Sequence, residues 1–355
     1  MSAALNTKIC EMFGVKYPII QTAMGWVSTP ELTAATANAG GMGFLAAATI
    51  KPEEVGKQIL RVRELTDQPF GVNFLMEAPG ADIIVDSILK HGVRAASYSR
   101  SPNPEFIKRF KEAGVLCVPT VGAPRHAEKA VQLGADIIVC QGGEGGGHTG
   151  TIASTILLPA VLDIVDVPVV AAGGFKDGRG LVAALAYGAS GIAMGTRFLL
   201  TEESPVPPAT AERYLNANVK NNAEQIKVTT QVDGMPQRCV VNELVHELEN
   251  ASTVGLLLQS LKSALEYRKI SGAGLFEILS SAMKMRKSNG LTLSQTIMGA
   301  NALAMVKAAM IDGDPIHGVL PSGVVAGLID DLPSVEELIQ SIMREAEERL
   351  AALSA

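Results

Sequence analysis

Residues 142–150 read Gly-Gly-Glu-Gly-Gly-Gly-His-Thr-Gly, six glycines around one histidine. An imidazole titrates at about 6.5 and so gives or takes a proton near neutral pH, which makes His148 the candidate general acid/base. Glycines without Cβ atoms let backbone approach a flat ligand closely while the histidine points at it. A merely floppy loop tip would not account for a titratable side chain inside the glycine run. Gly145, Gly147 and Gly150 also fit the G-x-G-x-x-G spacing of a dinucleotide site, but that fingerprint needs an acidic residue at the end of the next strand. Here the next strand ends Ala171-Ala172-Gly173-Gly174, and the dinucleotide reading is rejected.

A second constellation pairs Ala171-Ala172-Gly173-Gly174 with Met194-Gly195-Thr196-Arg197. Consecutive backbone N–H groups at two such loops, beside a helix N-terminus and the Thr196 hydroxyl, make a cradle for a phosphate. The plainer alternative is tight turns that need glycine for close packing. Lys284, Arg286 and Lys287 end a helical stretch, where cations complement the helix dipole; the sharper reading is contact with a substrate phosphate. Met283, Met285, Met298, Met305 and Met310 read as core or as an adaptable wall for a bulky apolar substrate. His91, His126 and His246 fall on helical stretches and read as ordinary surface histidines, with His317 left open.

One unit recurs every 20 to 30 residues from 18 to about 198: a short β-branched run, then an amphipathic stretch ending near glycine. The strands are expected at 18–24, 41–47, 70–75, 93–99, 115–121, 135–141, 168–174 and 191–197, with helices including 52–65, 104–113, 124–133 and 178–187. Gly92, Gly114, Gly134 and Gly188 sit where left-handed C-caps belong. Eight such units are the content of a TIM (β/α)8 barrel of the α/β class; an open doubly wound sheet is the runner-up. In a closed barrel the strands' C-terminal ends deliver the site: Met24, Gly25 and Trp26 from the first, Asn73 from the third, Ser99 and Arg100 from the fourth, Thr120 from the fifth, and Gln141 from the sixth.

After residue 199 the pattern stops at Thr-Glu-Glu-Ser-Pro-Val-Pro-Pro. A hairpin is expected over 227–241 with Asp233-Gly234 as its tight turn. Helices follow near 254–268, 275–287 and 293–310. The last helix opens with Ser334 three residues before Glu337, a capping box, and puts Leu338, Ile342 and Met343 on one face. We therefore expect a barrel domain of 1–204 and 318–355 and an inserted α-rich lid of 205–317.

Composition narrows the function classes. Of 355 residues 47% are hydrophobic and only 19% charged, so the chain must fold around a large core. Thirty basic against 36 acidic residues give a net charge of −6, with no electrostatic footprint for nucleic acid or anionic membrane. No apolar run reaches the ~18 residues of a membrane span, and the first residues lack a signal-peptide pattern. The four cysteines are widely spaced, without the pairing of a zinc site or disulfide framework, so no metal is expected and the location is expected to be cytoplasmic. Barrels with apolar outer helices pair often enough to make a homodimer the base expectation.

Gln-Thr-Ala-Met-Gly-Trp-Val near the start, Gly-Val-Asn-Phe at 71–74, the histidine loop, and the AAGGFKDGRG and MGTRF segments together resemble the nitronate monooxygenase (2-nitropropane dioxygenase) family of FMN-dependent barrels, a framework shared with flavin-type enoyl-acyl-carrier-protein reductases. The likeness covers almost the whole chain. Through VDGMPQR, PSGVVAG and DDLPSVEELIQSI it leans toward the family's flavin-dependent CoA-ester dehydrogenases of bacterial steroid C/D-ring degradation.

This resemblance implies FMN, with its phosphate on Gly173, Gly174, Gly195 and Thr196. Its ring would be lined by Ala23, Met24, Gly25, Asn73, Gln141, Gly146 and Gly147, and His148 would face its reactive edge. Trp26, Arg100, Lys284, Arg286 and Lys287 would contact substrate. Gly145, where many relatives have Ala, departs from the pattern and is expected to loosen the loop. The implied reaction is (de)hydrogenation of a bulky acyl-CoA ester. Nitronate oxidation with O2, enoyl-thioester or NAD(P)H:quinone reduction, and a non-catalytic flavin-binding module remain the alternatives, with NAD(P)H open as electron partner.

Overall fold

The computed structural model describes residues 2–99, 102–217, 223–250 and 293–354. Strands β1 (Ile19–Gln21), β2 (Met42–Ala46), β3 (Gly71–Asn73), β4 (Ala95–Ser99), β5 (Leu116–Val121) and β6 (Ile138–Gln141) are followed by β7 (Gly147–His148), β8 (Val169–Ala172) and β9 (Ile192–Met194). All but β7 form one closed parallel barrel, in which β9 pairs back onto β1 through Ile20 and Ala193. The eight expected strands are therefore all present, and closure decides for the TIM barrel over the open sheet. The observed strands are shorter than the apolar runs that announce them, because the flanking residues turn into the loops.

Side chains from successive strands fill the barrel: Ile20, Phe44, Ala95, Val118, Val139, Val170 and Ala193 share one buried cluster. Helices Pro52–Leu65, Pro104–Glu112, Pro124–Gln132 and Gly178–Ala186 fall where expected, four of the glycines past helix ends taking positive φ as C-caps do. Proline opens three of these helices, where its missing N–H costs nothing.

The chain divides into two compact units. The first comprises 1–145, 149–205 and 329–355; the second comprises 146–148 and 206–328. The C-terminal helix Val335–Ser354 belongs to the first, and its capping box is formed: Ser334 Oγ accepts the Glu337 N–H at 3.2 Å while the Glu337 carboxylate accepts the Ser334 N–H at 3.0 Å. Leu338, Ile342 and Met343 on that helix are buried.

The second unit carries the sheet β10 (Ile226–Thr229), β11 (Gln237–Val240) and β12 (Leu320–Pro321). The hairpin is antiparallel with Thr229 opposite Gln237, so seven residues connect its strands. Asp233-Gly234 is thus not a two-residue turn, and Asp233 is buried. One edge of β11 pairs with β10, and the other takes β7 and β12 end to end. Residues 318–328 group with this unit because β12 completes its sheet. Its core gathers Val232, Cys239, Leu244, Val245, Leu248, Ala302 and Val319. The helix Leu293–Met310 is present, and Pro208–Leu215 and Glu243–Asn250 add two more. The helices expected near 254–268 and 275–287 lie outside the described residues. Among the described residues no helix is long and apolar enough to cross a membrane.

Candidate active site

At the barrel mouth the loop after β1 is braced from beneath. The buried Gln21 amide donates to Ser28 Oγ at 2.8 Å and accepts the Phe44 N–H at 3.3 Å, while Ser28 Oγ accepts the Met24 N–H at 2.8 Å. This fixes Ala23, Met24 and Gly25. Trp26 follows with φ 62, the one non-glycine residue with positive φ among the described residues, and donates its N–H to Thr49 Oγ1 at 3.1 Å. Such a conformation persists only where the surroundings impose it, and it clusters at ligand sites. Asn73, ending β3, donates to Ser97 Oγ at 3.2 Å.

The two glycine loops behave as an anion cradle requires. Gly173 and Gly174 take φ 93 and 85, and a Cβ on Gly173 would lie 3.0 Å from Gly142 O and 3.1 Å from Gly145 N. The loops after β6 and β8 therefore pack backbone to backbone. The N–H groups of Gly174 and Gly195 meet no acceptor among the described residues, one donor from each of two adjacent strands. Thr196, buried, opens the short helix Thr196–Leu199. This donor set fits the phosphate of a mononucleotide.

Two features of the histidine loop escape a reading by residue type. Glu144 turns inward and accepts the Ser154 N–H at 3.0 Å and its hydroxyl at 2.9 Å, tying the loop to the start of helix Ser154–Leu162. Gly145 is not slack, as expected from the missing methyl. A Cβ there would lie 2.6 Å from Gln141 Nε2, so the Gln141 amide occupies the space.

Gly146 and Gly147 serve the second unit. A Cβ on Gly146 would come within 2.5 Å of Gly323 N, and Gly147 with His148 forms β7, where His148 stands opposite Gln237 and Gly147 opposite Arg238. The His148 side chain is 44% exposed, and its Nε2 lies 2.5 Å from Oδ2 of Asp233, which is only 5% exposed. Asp233 Oδ1 accepts the Met235 N–H at 3.0 Å. An exposed imidazole thus rests on a buried carboxylate from 85 residues away. Sequence offered one signal for Asp233, an acid beside glycine between two strands, and that signal reads first as a turn.

A family model for nitronate monooxygenase matches residues 6–84 and 81–345. The chain belongs to the nitronate monooxygenase family. It is an oxidoreductase, as the resemblance in its motifs implies. It is 47% identical over 354 residues, 99% of both chains, to a Mycobacterium tuberculosis protein described as "(3aS,4S,5R,7aS)-5-hydroxy-7a-methyl-1-oxo-octahydro-1H-indene-4-carboxyl-CoA dehydrogenase". A Staphylococcus saprophyticus protein described as "Probable nitronate monooxygenase" is 31% identical over 291 residues, 69% of this chain and 81% of that one. Among solved structures, FabK from Thermotoga maritima aligns with a TM-score of 0.79 and 29% identity over 98% of both chains.

Not every candidate residue of this nitronate monooxygenase family chain joins the site. Arg100, Lys284, Arg286 and Lys287 lie outside the described residues, as do Met283 and Met285. His126 and His246 are exposed on helices, as expected. His91 follows a helix end, and burial with Lys90 and Arg63 nearby lowers its pKa. His317 sits on Asp314 at 2.9 Å. Met310 is buried, and Met305 packs on the second unit's core, which is the plainer of the two methionine readings. A polar cleft of about 800 Å³ beside the C-terminal helix includes Lys176, Asp177 and Arg197; within it Arg179 pairs with Asp177 and Arg197 with Asp331.

Proposed function

We propose that the chain is an FMN-dependent dehydrogenase acting between the α and β carbons of a bulky, ring-bearing acyl-CoA ester. The observation that carries this is the 47% identity with the indene-carboxyl-CoA dehydrogenase, which runs through both units, whereas the nitronate relative matches 69% of the chain. The higher identity over the longer span speaks for the CoA ester.

The N–H groups of Gly174 and Gly195, with Thr196, would hold the FMN phosphate, and the positive φ of Gly173 aims the loop toward it. Ala23, Met24, Gly25, Asn73 and Gln141 would line the ring, with Gly146 and Gly147 close by. Bound FMN would supply the two-electron acceptor for a hydride from the β carbon. His148 takes the α-proton, which the thioester carbonyl acidifies. Trp26 and Arg100 would meet the acyl part, and Lys284, Arg286 and Lys287 the CoA phosphates. A cytoplasmic location, NAD(P)H or O2 as the partner that closes the redox cycle, and a homodimer complete the reading.

Nitronate oxidation is the second reading, favoured by the description of the family model itself. The deciding experiment adds the bicyclic acyl-CoA, and separately propyl nitronate, to the yellow protein without oxygen. Bleaching of the flavin by the CoA ester supports the proposal, and bleaching by nitronate alone overturns it. With the true substrate, His148→Ala should lose about 10²- to 10⁴-fold in turnover while flavin stays bound; turnover at the wild-type rate would remove His148 from the chemistry.

A further inference from the structure

We infer that Trp26 is the residue that selects a ring-bearing acyl group, and that Thr49 is the positioning residue that holds it for that task. This rests on the CoA-ester reading proposed above and deepens it.

Trp26 stands in a conformation that disfavours it. At φ 62 the Cβ of an L-residue crowds its own backbone, and a bulky side chain suffers most, so such turns ordinarily carry glycine or asparagine. Yet this position holds the only tryptophan in the chain. Backbone geometry alone would be better served by glycine, so what the position gains from tryptophan is its side chain. Strain of this kind marks ligand sites.

Named contacts impose the conformation. The Trp26 N–H donates to Thr49 Oγ1 at 3.1 Å. The other branch of Thr49, Cγ2, lies 2.9 Å from where a Cβ on Gly25 would stand, so glycine at 25 is what lets Thr49 come this close. The N–H groups of Val27 and Ser28 both reach Met24 O, at 3.1 and 2.9 Å, and close the turn on its far side. Thr49 ends the short 3-10 helix Ala47–Thr49 directly after β2, so the second strand carries the support for the loop after the first.

The same loop runs beside the anion cradle. The Thr22 N–H donates to Met194 O at 3.0 Å, and a Cβ on Gly195 would lie 3.0 Å from Thr22 Oγ1 and 3.5 Å from Met24 Sδ. Trp26 follows two residues after Met24 and is half-buried at the barrel mouth. An indole is large, flat and apolar, and it complements the face of a fused ring system. A flexible acyl chain gains less from it, because lying flat against the indole costs the chain its rotational freedom. The CoA portion is common to both kinds of ester, so Trp26 acts on the choice of acyl group.

The first arm of the test uses the holoenzyme without substrate and reads the emission of Trp26, the sole tryptophan. Thr49→Val keeps the branched shape and removes the acceptor; its emission should shift to the red and be quenched more readily by acrylamide than in the wild type. Thr49→Ser, which keeps the hydroxyl, should resemble the wild type. The second arm compares kcat/KM for the bicyclic acyl-CoA with that for decanoyl-CoA. Their ratio should fall about five- to tenfold in Thr49→Val, the scale of one lost hydrogen bond. It should fall at least as far in Trp26→Gly, where the positive φ suits the residue and the loop keeps its path. Thermal melting and flavin absorbance control for folding. Emission unchanged in Thr49→Val overturns the positioning role, and an unchanged ratio in Trp26→Gly overturns the selection of the ring. If neither ester bleaches the wild-type flavin, the proposed function itself fails, and the emission arm still decides whether Thr49 holds Trp26.

Discussion

Gly173 shows how much one residue decides. Its φ of 93 and the 3.0 Å approach of Gly142 O to the place of its Cβ leave room for no side chain. Gly173→Ala combines about 1–2 kcal/mol of left-handed strain with a backbone clash at the cradle. Flavin affinity should fall at least about tenfold, a loss of about 1.4 kcal/mol in binding, read by the fluorescence of released flavin; unchanged affinity would place the phosphate elsewhere. His148 and this glycine pair are legible in sequence because their types are unusual for where they stand. Asp233 is not, because aspartate before glycine has a common and cheaper use in turns. Glu144 is hidden in the same way, its partner Ser154 being recognisable only once the loop folds back.

At the scale of elements, the repeated strand and helix pattern is strong because each unit carries period, proline and glycine signals together. The C-terminal helix is an instance: the Ser334 hydroxyl and Glu337 carboxylate cap each other's N–H groups. Ser334→Ala should cost about 1 kcal/mol in urea unfolding, and a change near zero would mean that Glu203, which accepts the Val335 N–H at 2.9 Å, caps the helix unaided. The strands of the second unit are less legible. β7 and β12 are two residues long, too short for any alternation, and exist only because β11 offers them an edge.

The whole molecule keeps its thiols out of reach. All four cysteines are free and buried, and burial pushes the Cys117, Cys140 and Cys239 thiols up to about 12. The unfolded chain gives up these protons first as pH climbs, from the ordinary value of 9.0. Their contribution to stability is therefore complete below about pH 9 and is lost between about 9 and 12. Melting temperature should fall across that window, and less steeply in Cys140→Ala; an identical slope would remove Cys140 from the account. Cys140 and Cys117 belong to the barrel unit and Cys239 to the other, so each unit carries this sensitivity.

By itself the sequence determines the barrel, its eight strands, the glycine loops after the last two of them and the histidine, because these depend on local period and on residue types with few alternative uses. Only the tertiary structure decides that Gly146, Gly147 and His148 leave the barrel unit to become a strand of the second sheet, and that Asp233 waits there for the imidazole. The reason is physical: a contact 85 residues apart is set by strand pairing and burial, which act on the folded chain and leave no spacing in the sequence.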